Sequence, residues 1–181
     1  LKLQTGVPTP NLALAEKFYK THLYEANKTL EPILDLYNFK SQIPAWKFEL
    51  FAAILVGDLG RGEHKGADLI NHEVKSALNN TDFEYQYHCK SWKEKLHDDC
   101  RVDHVFISYE AGVAELDVRL VAGKVLAPQF LSWEAALETA YTGNQPNSRF
   151  RKRISFKTVK EEGQMLLQIK AGKLFQESLL L

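Results

Sequence analysis

The sequence predicts one mixed α/β (α+β) domain with a mixed central sheet, preceded by helices and followed by a C-terminal β-hairpin. Three observations lead to this prediction. Apolar residues recur at helical spacing in the first third of the chain, and they alternate with polar residues in short segments farther on. A strongly apolar helix separates these two regions. The 181 residues contain no repeat or low-complexity tract, so we expect a single domain over 1–181.

The N-terminal helical part covers residues 11–40. Asn11 is a suitable cap for a helix that begins at Leu12, where apolar residues fall near helical spacing. Pro32 is suited to the first turn of a second helix. Nothing in this part indicates chemistry, so we expect it to pack or to contact a second copy.

Pro44 opens a third helix that Gly57 or Gly60 ends. Its apolar residues cover most of the circumference, which is typical of a helix buried on nearly every side. Glu49 lies among them. A carboxylate in such surroundings is costly unless it is used, so Glu49 is a candidate functional residue.

The core, about 44–109, continues with segments that predict the order helix, strand, strand, strand, helix, strand. We place the three consecutive strands at 67–70, 73–77 and 81–88, the helix at 89–99 and the last strand at 102–109. The C-terminal part, 110–181, predicts a strand at 114–123 and a helix that Ser132 caps. It ends with strands at 153–159 and 165–172, which form a hairpin around 161–163.

Composition excludes several classes of protein. The chain has 23 basic and 23 acidic residues and a pI near 7.2, and 45% of its residues are hydrophobic. It is thus neither a disordered chain nor an obvious polyanion binder, although local patches remain possible. No apolar run is long enough to span a membrane, no signal peptide is visible, and no phosphate-binding loop indicates a nucleotide cofactor. Two cysteines make no disulfide scaffold, so we expect a cytoplasmic, prokaryotic intracellular protein.

Three charged residues, Asp68, Glu73 and Lys75, lie within eight residues of an otherwise apolar run. We call them the trio. If Asn71 and His72 are the turn residues of a hairpin, Asp68 faces Lys75. Glu73 shares that face, because side chains alternate along a strand. The bland alternative is a cross-strand Asp68–Lys75 salt bridge on a solvated surface.

Two carboxylates on one face provide the oxygen ligands that suit Mg²⁺, which also retains waters and binds phosphate oxygens. A bound metal lowers the pKa of a water and stabilises charge on phosphate. Lys75 beside it can orient or deprotonate that water. These groups together fit phosphodiester hydrolysis, and Glu49 can supply a third carboxylate.

The trio on these elements resembles the PD-(D/E)XK nucleases, the fold of most type II restriction endonucleases. Asp68, four intervening residues and then Glu73-Val74-Lys75 match the family's motif, on the predicted αβββαβ order. Ala67 stands where the family often has proline, and the gap between the acids is short. The resemblance implies that Asp68 and Glu73 bind metal and that Lys75 is catalytic, with Glu49 as a further catalytic and metal-binding acid.

The resemblance therefore implies a Mg²⁺-dependent endonuclease, with Mn²⁺ able to substitute, that cuts double-stranded DNA to leave 5′-phosphate and 3′-hydroxyl ends. A type II restriction endonuclease acting as a homodimer on a palindrome is the leading hypothesis. One alternative is a repair, resolvase or transposon-type nuclease of the same fold. The other is a non-catalytic nucleic-acid-binding protein in which the trio forms salt bridges.

Candidate DNA contacts lie in two places. A basic cluster can clamp phosphates or reach guanine edges, and an ordinary solvated strand would look similar; it consists of Arg149, Arg151, Lys152 and Arg153. The preceding Asn147 can add a hydrogen bond to a base. Polar residues that follow the trio can contact DNA nearby, namely Ser76, Asn79 and Asn80.

Zinc-type residues also occur in a short span. Their spacing does not fit the common zinc patterns, so we expect the cysteines to be buried thiols; the four residues are Cys89, His97, Cys100 and His104.

Overall fold

In the computed structural model, which describes residues 8–38, 43–62, 66–142 and 149–178, three helical segments follow one another near the N-terminus. They are α1 (Leu12–Phe18), a π-helical segment (Tyr19–Tyr24) and α2 (Glu25–Leu36). Asn11 caps α1 as predicted, since its side-chain oxygen accepts a hydrogen bond from Leu14 N at 2.9 Å. The prediction that Pro32 begins a helix is wrong. Pro32 lies inside α2, where it removes one backbone hydrogen bond without ending the helix.

Helix α3 (Ala45–Val56) follows Pro44 as predicted and ends at Gly57, whose φ of 70° is the left-handed conformation that glycine adopts readily. The expectation that α3 is buried on nearly every side is wrong. Trp46 and Leu50, one helical turn apart, are 56% and 43% exposed. The opposite side of α3 packs against the central sheet and α1.

The central sheet is mixed, as predicted, and has five strands in the order β1–β3–β4–β6–β7. Strands β1 and β3 run parallel, and every other neighbouring pair is antiparallel. The strands are β1 (His72–Leu78), β3 (Asp103–Tyr109), β4 (Leu116–Val121), β6 (Gln164–Lys170) and β7 (Lys173–Glu177). Strand β1, which carries Glu73 and Lys75, lies at the edge of this sheet.

Strand β2 (Phe83–His88) forms where predicted but belongs to another sheet. It pairs antiparallel with β5 (Arg149–Ile154), and we call this pair the ribbon. Residues 67–70 form no regular strand and make a single isolated bridge, Leu69 with Gly60. Helix α4 (Trp92–Asp99) comes next, so the predicted αβββαβ core is not confirmed.

The C-terminal part differs from its prediction in three ways. A helix that we did not predict, α5 (Gly123–Leu131), precedes α6 (Glu134–Tyr141), and Ser132 ends α5 instead of capping α6. The predicted strand at 153–159 is wrong, because α7 (Phe156–Glu162) occupies most of it. The hairpin consists of β6 and β7, whose two turn residues, Ala171 and Gly172, have φ of 49° and 73°.

Two hydrophobic cores lie on the two faces of the sheet. One packs α1 and α3 against one face, and includes Phe48, Phe51, Val105 and Ile107. The other packs the ribbon and helices α4 to α6 against the opposite face, and includes Tyr85, Phe106 and Phe130. Among the described residues, no helix combines the length and apolar character that crossing a membrane requires.

Candidate active site

The chain reverses direction just before β1. Leu69 N donates to His72 O at 2.9 Å, so the turn consists of the two residues between them. The predicted turn, Asn71 and His72, is wrong by one residue, because His72 already belongs to β1. This shift places Asp68 opposite Glu73.

Asp68 is fastened to the start of β1 by two hydrogen bonds. Its backbone N–H donates to Glu73 Oε2 at 3.2 Å, and its own Oδ2 accepts from Val74 N at 3.0 Å. A carboxylate thus takes the place of a backbone carbonyl, which explains why 67–70 is not a regular strand. The predicted opposition of Asp68 and Lys75 is wrong, and no ion pair between these two occurs among the described residues.

Glu73 is almost fully buried, with 1% of its surface exposed. Lys75 binds its Oε1, and Lys95 of α4 binds its Oε2 at 2.7 Å. Burial alone would raise the pKa of Glu73, but the two lysines lower it to about 2. The carboxylate is therefore ionised at every physiological pH.

Lys75 is protonated in this arrangement. Burial works against its charge, yet the negative charges of Glu73 and Asp68 raise its pKa above the ordinary value. Its ammonium nitrogen also lies 5.0 Å from the centre of the Tyr85 ring, a favourable cation–π geometry. Lys75 thus acts as a donor of hydrogen bonds and positive charge.

Glu49 and Asp68 experience the opposite effect. Burial raises the pKa of both carboxyls, and each is raised further by a neighbouring acid, Asp68 in the case of Glu49 and Glu73 in the case of Asp68. Helix α3 therefore places Glu49 where the charges of Asp68, Lys75 and Glu73 act on it. The mutual repulsion of these acids favours a cation among them.

Charge counting supports the same conclusion. The site contains four acids, Glu49, Asp68, Glu73 and Asp99, and two lysines, Lys75 and Lys95. Four negative and two positive charges leave a net charge of −2 when every acid is ionised, which one divalent cation would neutralise.

The donor set fits Mg²⁺. All donors are carboxylate oxygens, and a carboxylate offers about four acceptor positions, so Glu73 can accept more than its two lysines. Within the described part of the chain, no group of three or more His, Cys, Asp or Glu side chains is arranged to hold a metal ion. Mg²⁺ bound to Asp68 and Glu73 would therefore complete its shell with water and phosphate oxygens, as it generally does in proteins.

Lys95 and Asp99 extend the site, and sequence reasoning missed both. Lys95 bridges Glu73 and Asp99, whose Oδ1 is 2.8 Å away. Burial raises the pKa of Asp99 to about 6. A signal was present, because Lys95 and Asp99 fall on the same helical stripe as the apolar residues Trp92 and Leu96, which marks them as core-facing charges.

His104 supports the site from beneath as a neutral ring. Its Nε2 is 2.8 Å from the Asp99 carbonyl oxygen, so Nε2 carries the proton. Tyr85 OH then donates to Nδ1 at 2.8 Å. Burial lowers the pKa of His104 to about 4, and these bonds fix the Tyr85 ring that faces Lys75.

His72, whose role the sequence left open, fastens the turn. Its Nδ1 is 2.7 Å from Asp58 Oδ2, which also accepts from Asn71 N at 2.8 Å. Burial would raise the pKa of Asp58, but the hydrogen bonds from His72 and two backbone groups lower it. The ionised Asp58 therefore holds the start of β1 against the loop that follows α3.

The polar residues predicted to contact DNA after the trio are all exposed. Ser76 lies on β1, and Asn79 and Asn80 follow its end with φ of 51° and 57°. Asn80 is bound to Ser108, whose Oγ donates to Asn80 Oδ1 at 2.8 Å. A cleft of roughly 650 Å³ begins at Ser76 and extends to Glu84 and Arg153 of the ribbon.

The basic cluster is divided between the two faces of the ribbon. Arg149, Arg151 and Arg153 are exposed on the outer face, because alternate residues of β5 point the same way. Lys152 lies on the inner face, half-buried, with its nitrogen 5.3 Å from the centre of the Phe150 ring. Asn147, also predicted to contact DNA, lies outside the described residues.

The four zinc-type residues have separate surroundings. Both ring nitrogens of His104 are engaged by Tyr85 and the Asp99 carbonyl, and His97 is exposed. Cys89 and Cys100 are free thiols that are only partly buried, so the expectation of buried thiols holds in part.

The chain matches no protein-family model, and no curated protein is significantly similar to it.

Proposed function

We propose that this protein is a Mg²⁺-dependent endonuclease that hydrolyses phosphodiester bonds in double-stranded DNA, with sequence-specific type II restriction as its activity. One observation carries the proposal. Asp68, Glu73 and Lys75 meet at the start of an edge strand, Glu49 approaches from α3, and the acids outnumber the lysines by two. Desolvated carboxylates beside a protonated lysine are the groups that metal-assisted phosphate hydrolysis needs.

The roles follow from the charges. Asp68 and Glu73 would hold Mg²⁺, with Glu49 as an additional acid near it, and the ion would stabilise phosphate charge and supply a water of lowered pKa. The protonated Lys75 would donate to a phosphate oxygen, where negative charge develops. The water oxygen would bond to phosphorus as the bond to O3′ breaks. The attacking water would give one proton to solvent and O3′ would take one from solvent, which leaves a 3′-hydroxyl and a 5′-phosphate.

Plasmid digestion with Mg²⁺ tests the proposal. We expect discrete fragments from the unmodified protein, and a loss of cleavage of at least about 100-fold in Lys75→Ala and Asp68→Ala. Lys157→Ala, which removes a lysine that is 82% exposed on α7, is the matched control and should cut normally. Full activity in Lys75→Ala or Asp68→Ala would contradict the assignment.

A non-catalytic role is favoured by one observation, the complete pairing of Glu73 with Lys75 and Lys95. In that case the trio would be a buried salt-bridge network, and no divalent metal would produce cleavage.

Cleavage confined to junctions or mismatches would instead indicate a repair, resolvase or transposon-type nuclease. The plasmid assay and an assay on branched duplexes separate these outcomes.

Cutting both strands with one site per chain requires two copies, and we propose a homodimer. Helix α2 has no buried residue and exposes apolar side chains that would suit such a contact: Leu30, Ile33 and Leu36. Sedimentation velocity should give the mass of two chains for the protein alone, and that mass plus one duplex when a short duplex is added.

A further inference from the structure

The ribbon separates its residues cleanly by face. The inner side chains Phe83, Tyr85 and Tyr87 are at most 1% exposed and pack in the core with Phe106 and other aromatic residues. The ribbon is therefore held rigidly from behind. Its outer face carries only polar and charged side chains: Glu84, Gln86, His88, Arg149, Arg151 and Arg153.

These outer side chains are ordered by one another. Glu84 Oε1 accepts a hydrogen bond from Gln86 Nε2 at 2.8 Å and forms an ion pair with Arg151 at 3.5 Å, and its Oε2 accepts from Arg153 at 3.4 Å. Gln86 Oε1 accepts from Arg149 at 3.4 Å. The arginine side chains are nonetheless more than half exposed, 58% for Arg151 and 64% for Arg153. Such pairs are weak and exchange readily for other partners.

The presence of Glu84 distinguishes between two uses of this face. A surface that binds only phosphates gains nothing from a central carboxylate, because the carboxylate repels them. Base edges are different. Arginine pairs with guanine, glutamine pairs with adenine, and glutamate accepts from the amino group of cytosine. The outer face displays all three side-chain types at adjacent positions.

The position of the outer face of the ribbon is also compatible with DNA binding. Ser76, the residue after Lys75 on β1, lines the same cleft as Glu84 and Arg153. A duplex that reached the trio along this cleft would meet the outer face of the ribbon. The major groove of B-DNA, about 12 Å wide, admits a two-stranded β-ribbon whose strands are about 4.8 Å apart.

We propose that the outer face of the ribbon enters the major groove and determines sequence specificity, with Arg151 and Arg153 reading guanine, Glu84 reading cytosine and Gln86 reading adenine. This inference rests on the proposed action on duplex DNA. It adds the groove, the specificity-determining residues and the base types that they recognise.

Selection from randomised duplexes tests it, with Lys75→Ala as the parent protein so that bound DNA stays intact. We expect the parent to enrich one motif that contains G·C pairs. Adding Arg151→Ala should remove the preference at one base pair and weaken binding to the motif roughly 5- to 150-fold. Binding to unrelated sequences should hardly change. Lys157→Ala in the same parent is the charge-matched control, and should keep both motif and affinity.

Glu84→Gln separates base recognition from phosphate attraction most clearly, because the two predict opposite changes in DNA affinity. If Glu84 reads cytosine, this variant binds the selected motif more weakly and prefers another base at that position. If the face only attracts phosphates, losing a negative charge tightens binding to every duplex. The inference would be overturned if the variants changed DNA affinity equally for all sequences and if Arg151→Ala made the slope of log affinity against log salt about one unit smaller. Unchanged selection in both variants, or a parent that selects no motif, would also overturn it.

Failure of this inference is distinguishable from failure of the proposed function. Suppose that Arg151→Ala and Glu84→Gln, made with Lys75 in place, still cleave DNA with the original sequence preference. That result would refute base recognition by the ribbon and leave the proposed nuclease activity standing. Motif-selective binding that depends on these residues, without cleavage in any metal, would refute the nuclease activity and support base recognition by the ribbon.

Discussion

Glu73 and Glu84 are the same residue type, and each holds two cations, but their surroundings are opposite. Glu73 is 1% exposed and binds Lys75 and Lys95, whereas the Glu84 side chain is 27% exposed and binds two arginines of β5. A buried charge depends on its partners, since water cannot replace them. An exposed charge loses little when its partners leave. The first arrangement suits chemistry, and the second suits a surface that must exchange its own contacts for those of a ligand.

The largest expected effect separates the two glutamates directly. Glu73→Gln leaves two partly buried lysines short of a counter-charge within a buried network, so we expect the free energy of unfolding to fall by about 3–5 kcal/mol. Glu84→Gln should lower it by less than about 1 kcal/mol. Urea denaturation at pH 7 measures both variants. Equal losses in the two variants would show that the burial difference does not control the energetics.

His104, in the buried region, should make stability depend on pH. His104 is neutral in the fold with a pKa of about 4, whereas an unfolded histidine titrates near about 6.5. Protons therefore favour the unfolded state as pH falls below about 6.5, and stability is lost down to about pH 4. We expect a contribution of about 2–3 kcal/mol between pH 7 and 4.5. His104→Gln should remove this contribution, as urea titrations at both pH values would show. Equal acid sensitivity in His104→Gln would contradict it.

The affinity for Mg²⁺ should respond to changes at the candidate site and not to changes on the ribbon. Lys95→Met changes the net charge of the site from −2 to −3, so Mg²⁺ should bind on the order of tenfold more tightly by calorimetry. Arg151→Met on the ribbon should leave the affinity unchanged. A purely structural Lys95 would instead weaken or abolish metal binding when it is replaced.

Salt provides the smallest contrast. Raising ionic strength from about 0.05 M to 0.5 M should erase most of the stability difference between Glu84→Gln and the unmodified protein, a change below about 0.5 kcal/mol. The difference for Glu73→Gln should persist, since buried pairs are screened much less. Chemical denaturation in urea at the two salt concentrations measures both. A large salt dependence for Glu73→Gln would mean that water reaches the pair.

Local patterns were sufficient to predict much of the site. The proximity of Asp68 to Glu73 and Lys75 follows from a turn, and the placement of Glu49 follows from a helix that precedes it. The register was wrong by one residue because Asp68 bonds to Val74 N with its side chain, an arrangement that alternation cannot express.

Long-range pairing was not predictable in the same way. The ribbon joins Tyr87 to Phe150, more than 60 residues apart, and no local pattern specifies such a partner. Lys95 reaches Glu73 because α4 packs against α5, which is distant from it in sequence, and against β2 of the ribbon. The helix α7 was missed because the apolar residues at 154 and 156 alternate as in a strand, and the β-branched residues at 158 and 159 favoured that interpretation.

Neighbouring side chains of strand β2 point to opposite faces of the same backbone, and this has a mechanical consequence. Glu84 and Gln86 face solvent on either side of Tyr85, whose ring supports Lys75 from the other face of the same strand. Because the ribbon is held rigidly from behind, a force on the outer side chains is transmitted through the backbone that carries this ring. If the ribbon binds DNA as proposed, ligand contact and support of Lys75 share three consecutive residues, and a badly fitting ligand would lower cleavage as well as binding.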